Sequence, residues 1–294
     1  MSSLGPTLSV VIATAHPGKD LAPAIDAIAG QTLAVGGEVL LVTSARAILP
    51  AELDRSRVTL QRVDSADIFA LRAAGVAAAR GQTIAVTEDH VIVGPQWAES
   101  TLRAHAEHPQ AAVVGGPVEN GSRHKLMDWA NFLMTFGPFL PPITAERHHR
   151  MPVIANMSLK RAALPEFALA PGDLEFVLLP QFAAEQRIVF HEAPLVWHLQ
   201  SHGTFEAVRM HFQNGRASLG LRANDQPWPQ RRLRGGLCRL RGLVTDAVIT
   251  VRERLLPRRA RASLPLLLLL CASHAAGEWV GGASGAGRSG EQLV

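Results

Sequence analysis

The chain has no tyrosine at all, and among its 294 residues there are only two cysteines, Cys238 and Cys271. They stand far apart in the C-terminal quarter, without Cys-x-x-Cys or Cys/His zinc spacing. This excludes a disulfide-stapled module and a zinc domain, and a reducing compartment is expected. Lysine is nearly missing too: Lys19, Lys125 and Lys160 are the only ones, so positive charge is carried by arginine. Charged residues make up 18% of the chain, below the globular average of about 25%, while 47% are hydrophobic. That balance excludes a disordered chain and a coiled coil. A net charge of +4, from 29 basic and 25 acidic residues, is too weak to imply nucleic acid as a partner. A mean hydropathy of +0.12 is high for a soluble protein and low for a multispanning one, so membrane contact should be local. The opening MSSLGPTLSVVIATA has no basic residue before its apolar run and is read as no secretory signal. No Gly-x-Gly-x-x-Gly follows Ala13, which excludes a dinucleotide-binding loop there.

What is present is an alternation of strand-like and helix-like segments. Leu8–Ala13 is a short β-branched run apolar on both faces, as in a buried parallel strand. Residues 21–31 place Leu21, Ile25 and Ile28 at helical spacing. Strands are expected over 38–42, 58–63 and 82–87, and an Ala-rich helix over 69–80 closed by Gly81. Further on, the pattern suggests a helix over 97–108, a strand over 111–119 weakened by Gly115-Gly116-Pro117, and a long covering loop over 136–151. A strand over 153–159, a helix over 175–185 and a strand over 188–196 follow. Such alternation implies a mostly parallel α/β sheet flanked by helices. His148-His149-Arg150 reads as solvated loop rather than a metal site.

From Arg231 the composition changes. Ten arginines crowd between 231 and 261, and Leu237, Leu240, Val244, Val248, Val251 and Leu255 recur at helical spacing between them. The apolar run Leu264–Ala276 is shorter than the ~20 residues that span a bilayer, and a Gly/Ser-rich stretch, read as a flexible tail, follows. Residues 221–294 are therefore taken as a basic amphipathic and apolar membrane-associating arm, and 1–220 as the main domain. Lying on the membrane, half-spanning it and packing on protein all remain open for this arm.

Four segments, in order over about residues 8–216, resemble family 2 glycosyltransferases of the GT-A fold. LSVVIATAHPG is similar to their opening SVVIPTYN strand. LRAAGVAAARGQTIAVTEDHVIVGPQW is similar to their ARNxGxxxAxGexIxxLDxDxxxxpxW core. IANMSLKRAAL and GDLEFVLLPQFAAEQRIVFHEAPLVWH are similar to two later family segments.

The resemblance implies a nucleotide-diphospho-sugar donor, a hydroxyl acceptor and a divalent metal, Mg²⁺ or Mn²⁺, that offsets charge on the leaving diphosphate. It aligns Asp89 with the second carboxylate of the family's Asp-x-Asp, with Thr87 in place of the first, and makes Asp89 and His198 the metal ligands. Glu88 could add a carboxylate, although strand alternation would point it away from Asp89. Glu175 and Asp173 are the candidate catalytic bases; both could instead cap a helix. Thr14, His16, Asp64, Arg72, Glu88 and Arg216 are candidates for holding the nucleotide diphosphate. Asn156 would face the acceptor, or bond turn backbone. The family's Asp-Asp-Gly-Ser after the second strand is absent, Ser44 standing near that place.

The activity implied is glycosyl transfer, usually inverting in such families, at the cytoplasmic face of the cell membrane with a lipid-linked or polysaccharide acceptor. Anionic lipid would be the surface met by the arginines. The missing first Asp and missing base-recognition acid leave an alternative, a catalytically degraded GT-A-like scaffold.

Overall fold

The two-sided apolar run at the N-terminus becomes β1 (Leu8–Thr14), with all seven residues buried. It lies in the middle of a seven-stranded sheet because both its faces must be covered. The computed structural model of the chain describes residues 5–143, 151–222, 242, 244–245, 250 and 256–293. The described chain divides into two units, one of residues 1–119 with 139–199 and one of 120–138 with 200–294.

In the first unit α1 (Leu21–Ala34) leads to β2 (Glu38–Ser44) and β3 (Thr59–Val63), then α2 (Ile68–Ala78) leads to β4 (Thr83–Thr87). These four strands pair in parallel in the order β3-β2-β1-β4. The order reverses between β1 and β4, and the carboxyl ends of strands at such a reversal are where open α/β sheets bind their ligands. Asp67 starts α2 by accepting from the backbone of Phe69 and Ala70, as N-cap aspartates do. Gly81 does not close this helix, which ends at Ala78 with Ala79 already extended. Glycine is needed at 81 because a Cβ there would overlap the Ser9 backbone nitrogen of β1.

After the short strand β5 (Val91–Val93) and α3 (Trp97–Glu107), the single strand expected over 111–119 is two: β6 (Val113–Gly115) and β7 (Val118–Asn120). Between them Gly116-Pro117 carries the chain from the main sheet to a small one. The segment α4 (Leu126–Phe136), part of the second unit, occupies a stretch for which no helix was expected. Residues 153–159 form a 3-10 turn, Ile154–Asn156, before β8 (Met157–Lys160). The strand β8 runs antiparallel to both β4 and β6. The expected helix over 175–185 begins as a π-helical turn, Leu174–Leu178, before α5 (Leu179–Ala184). Pro180, at the start of α5, lacks the N–H that would extend regular α-helix backward. The last expected strand also divides, into β9 (Ile188–Phe190) beside β6 and β10 (Val196–His198) in the small β5-β10-β7 sheet.

The second unit contains α4, α6 (Thr204–Arg222), a short helix Arg258–Ala262 and a C-terminal helix Leu264–Ser284. Helix α6, placed with the main domain by sequence, groups here with the C-terminal residues. The C-terminal helix runs 21 residues, well beyond the apolar run, and is long and apolar enough to cross a membrane by length and composition alone. The glycine-rich end is not a loose tail. Glycines 277 and 281 fall inside the helix, where a Cβ would overlap the Phe212 and Arg216 carbonyls of α6. Ser289 beyond it is buried and donates to Gln213 Oε1 at 2.8 Å. Of the amphipathic stretch Leu237–Leu255, only Gly242, Val244, Thr245 and Thr250 are described, all helical. The arginines at 231, 232, 234, 239, 241, 252 and 254 and His148-His149-Arg150 lie outside the described residues.

Buried histidines make the fold acid-sensitive. His105 on α3 is enclosed, with Nε2 2.9 Å from Ser158 Oγ. Burial, helped by the Lys160 charge, pushes its imidazole from 6.5 down to about 4. Burial also takes His211 of α6, 2.6 Å from Asn131 Oδ1, down to about 3. Below its unfolded value such a group binds a proton more readily in the unfolded chain. Its contribution is therefore complete above pH 6.5 and is lost as pH falls toward the folded value. Chemical denaturation should show the first unit losing roughly 3 kcal/mol from His105 over that range. His105→Gln should flatten this slope, and an unchanged slope would contradict a buried neutral imidazole.

Candidate metal and nucleotide site

The site forms where β4 ends. The strand stops at Thr87, whose buried hydroxyl donates to Ala155 O at 2.8 Å. In the place of the family's first aspartate, this threonine ties β4 to the turn before β8. Glu88, Asp89 and His90 then occupy the turn between β4 and β5. Strand alternation no longer applies there, so neighbouring side chains can reach the same region, contrary to the expectation for Glu88. The small sheet brings in the fourth group: β10 runs antiparallel to β5 with His198 opposite Val91, and Leu199 N–H donates to His90 O at 2.8 Å.

Glu88, His90 and His198 each offer one ligand atom, and these atoms lie within 4.8 Å of one another. His198 Nε2 is 2.9 Å from Glu88 Oε2, and His90 Nε2 is 3.8 Å from that oxygen. The two imidazole rings meet edge-on with centroids 4.5 Å apart. Two imidazoles and one carboxylate form a donor set that first-row divalent ions accept, and one richer in nitrogen than Mg²⁺ usually takes. Asp89 stands one step back. Its Oδ2 accepts from the Thr14 hydroxyl at 2.6 Å, and its Oδ1 lies 2.6 Å from His90 Nδ1. A carboxylate on the far nitrogen of a histidine is the arrangement that orients metal-binding imidazoles. His198 and His90, the latter not anticipated from sequence, lie together with Glu88, and Asp89 lies behind His90. Thr14 serves through its bond to Asp89.

The electrostatics suit a cation site. Burial pushes His198 down to about 4, helped by the neighbouring His90, so its imidazole is neutral near pH 7. Burial alone would raise Glu88, but the His198 hydrogen bond and the His198, His90 and Arg72 charges outweigh it and hold the carboxyl at about 2. With His198 neutral near pH 7, its hydrogen bond and the Arg72 guanidinium still act on Glu88. His90 is raised: burial opposes its charged form, and the Asp89 hydrogen bond with the Glu88 and Asp89 carboxylates prevails.

Arg72, one turn into α2, bridges two acids. It donates to Glu88 Oε1 and to Glu175 Oε1, each at 3.2 Å. Glu175 sits in the π-helical turn, a local geometry frequent at functional sites. Burial raises its carboxyl above the ordinary range against the opposing Arg72 charge. Glu175 Oε2 and Arg72 Nε are buried with no hydrogen-bond partner among the described residues, which leaves polar capacity for a ligand. Asp173 instead accepts from Ala170 N–H at 2.7 Å and closes the preceding turn.

The remaining candidates are not members of the Glu88, His90 and His198 group. His16 is exposed in the loop after β1, and Asp64 is exposed after β3. Arg216 belongs to α6 in the second unit, where its Nε donates to Gly285 O at 3.2 Å. Asn156 is 3% exposed and fully engaged. Its amide donates to Pro117 O at 2.8 Å and Pro194 O at 2.5 Å, and its oxygen accepts from Trp97 Nε1 at 3.1 Å. These bonds hold the ends of β7 and β10 in place and leave no donor for an acceptor sugar. Asn156→Ala should therefore act on stability, costing about 2–4 kcal/mol by thermal or chemical denaturation. An unchanged melting temperature with weakened acceptor binding would return Asn156 to the acceptor pocket.

No protein-family model matches the chain, and no curated protein does. Solved structures do. The mannosyltransferase PcManGT from Pyrobaculum calidifontis, solved with GDP-mannose and Mn²⁺, superposes over 95% of this chain and 88% of its own with a TM-score of 0.55 at 13% identity. Glucosyl-3-phosphoglycerate synthase from Mycobacterium tuberculosis, solved with Mn²⁺, UDP and phosphoglyceric acid, superposes over 76% of this chain and 80% of its own, with a TM-score of 0.48 at 15% identity. The chain has the GT-A fold, a mainly parallel sheet flanked by helices and followed by an apolar C-terminal helix.

Proposed function

We propose that this GT-A chain is a glycosyltransferase that moves a sugar from a nucleotide-diphospho donor to a hydroxyl acceptor with inversion at the anomeric carbon. The observation that carries the reading is the cluster Glu88, His90 and His198 at the β1/β4 switch point, linked by Arg72 to the buried Glu175. A divalent ion held by these three side chains would offset charge on the departing diphosphate. Asp89 and Thr14 keep His90 turned toward the cluster. Glu175 takes the proton from the acceptor hydroxyl, whose oxygen bonds to the anomeric carbon as the bond to diphosphate breaks. A carboxyl raised by burial is suited to that transfer near neutral pH. The Mn²⁺ and GDP-mannose in the archaeal mannosyltransferase support this donor and ion class.

The acceptor is proposed to be lipid-linked or a polysaccharide precursor, with the protein on the cytoplasmic face of the cell membrane. Support comes from the arginines gathered between 231 and 261 in the sequence, ahead of the apolar run. A thermal-shift screen of nucleotide sugars with Mn²⁺ should identify one stabilising donor, and proton NMR of the product should show the opposite anomeric configuration. A retained configuration would contradict the one-step displacement, and no stabilising donor would contradict the reading itself.

A further inference from the structure

The C-terminal helix Leu264–Ser284 is amphipathic in the opposite sense to a soluble surface helix. Apart from Ser284 at its last position, its exposed residues are Pro265, Leu268, Leu269, Ala272, Ala276 and Trp279, which fall within an arc of roughly 100° on a helical projection. The three large ones are substantially open, Leu268 at 40%, Leu269 at 44% and Trp279 at 59%. The opposite side carries the polar groups: His274 and Glu278, the helix's one charged residue, are buried there. On a soluble helix the charges would face outward and the leucines inward.

The inward face packs on α6, with the two helices running in the same direction. Ser273 Oγ donates to Val208 O at 2.7 Å near one end, and Arg216 Nε donates to Gly285 O at the other. Over that length α6 carries Arg209, Arg216 and, at its last position, Arg222. Immediately before the C-terminal helix stand Arg258, Arg259 and Arg261, all exposed.

We infer that the outward stripe of this helix is a docking face for an anionic lipid bilayer, on which the helix lies flat rather than crossing. The arginines before it match the negative headgroups, the leucines and Trp279 enter the acyl boundary, and the tryptophan sits at the depth that indole rings favour. Crossing would carry the arginines of α6 into hydrocarbon, because α6 is joined along the helix; lying flat keeps them on the protein side. This inference rests on the membrane location proposed above and adds to it which surface makes contact and in what orientation.

The test uses the full chain with vesicles of phosphatidylcholine alone and of equal parts phosphatidylcholine and phosphatidylglycerol. Wild-type protein should float with the anionic vesicles at low salt, be released by alkaline carbonate, and show a blue-shifted tryptophan emission that Trp279→Phe removes. The double variant Leu268→Asp/Leu269→Asp, changed only at exposed positions, should keep its circular dichroism and bind these vesicles at least about ten-fold more weakly. If wild type and the double variant float alike, the membrane location stands and this face is not the contact. If wild type does not float, the location itself fails. Retention in carbonate would overturn the flat orientation, and a dimer that the double variant dissociates, without vesicle binding, would make a second copy the occupant.

Discussion

Glu88→Gln should lower the affinity for Mn²⁺ at least about 100-fold and remove metal-dependent retention of a nucleoside diphosphate. Glu88 is the single carboxylate of the cluster, held ionised between Arg72 and His198. The substitution keeps the side-chain shape but takes away the negative charge that a divalent ion requires. Asp89→Asn should act less strongly, by about 10–100-fold, because Asp89 works through the orientation of His90. Mn²⁺ titration followed by electron paramagnetic resonance separates the two. If Asp89→Asn costs as much as Glu88→Gln or more, Asp89 is itself a ligand, as the resemblance to family 2 enzymes implied.

Glu175→Gln should reduce kcat by about 10²–10⁴-fold while leaving donor affinity nearly unchanged, the usual range for losing a general base. Glutamine can still accept from Arg72 Nη1, so the link between α2 and the π-helical turn persists. What disappears is the group able to take the acceptor proton. Asp173→Asn should leave kcat within a few-fold, since that carboxylate closes a turn by accepting from Ala170 N–H. Full activity in Glu175→Gln with loss in Asp173→Asn would move the base two residues upstream.

The parallel half of the sheet was legible because β1, β2 and β4 are continuous apolar runs bounded by turn residues, and such runs have few other resting places in a fold. Where the chain changes sheets the pattern failed. Residues 111–119 and 188–196 each read as one strand, although Gly116-Pro117 in one and His191 to Pro194 in the other stand where the chain leaves one sheet for another. Helix α4, Leu126–Phe136, falls between the strand expected over 111–119 and the loop expected over 136–151, in a stretch given no assignment because it opens on a polar, basic turn. The glycines after Ala276 suggested flexibility, whereas those at 277 and 281 let two helix backbones approach closely.

In the site, the motifs pointed to Glu88 for the nucleotide diphosphate and His198 for the metal, and both lie in the cluster with His90. His90 was overlooked although it adjoins Asp89. The signal available was the run Glu-Asp-His at a strand end, where a turn can bring consecutive side chains to one place. The roles of Asn156 and Arg216 could not be read from sequence, since each depends on partners far along the chain: Pro117 and Pro194 for one, Gly285 for the other.

Calorimetric titration of UDP and GDP into the full-length protein, with and without Mn²⁺, tests the central claim most directly. One of the two should bind with Mn²⁺ and lose at least about ten-fold in affinity without it, and Glu88→Gln should lose that binding. Absence of binding by either nucleotide in Mn²⁺, or binding that ignores both the ion and Glu88, would contradict a metal-dependent transferase site and favour a GT-A scaffold without catalysis.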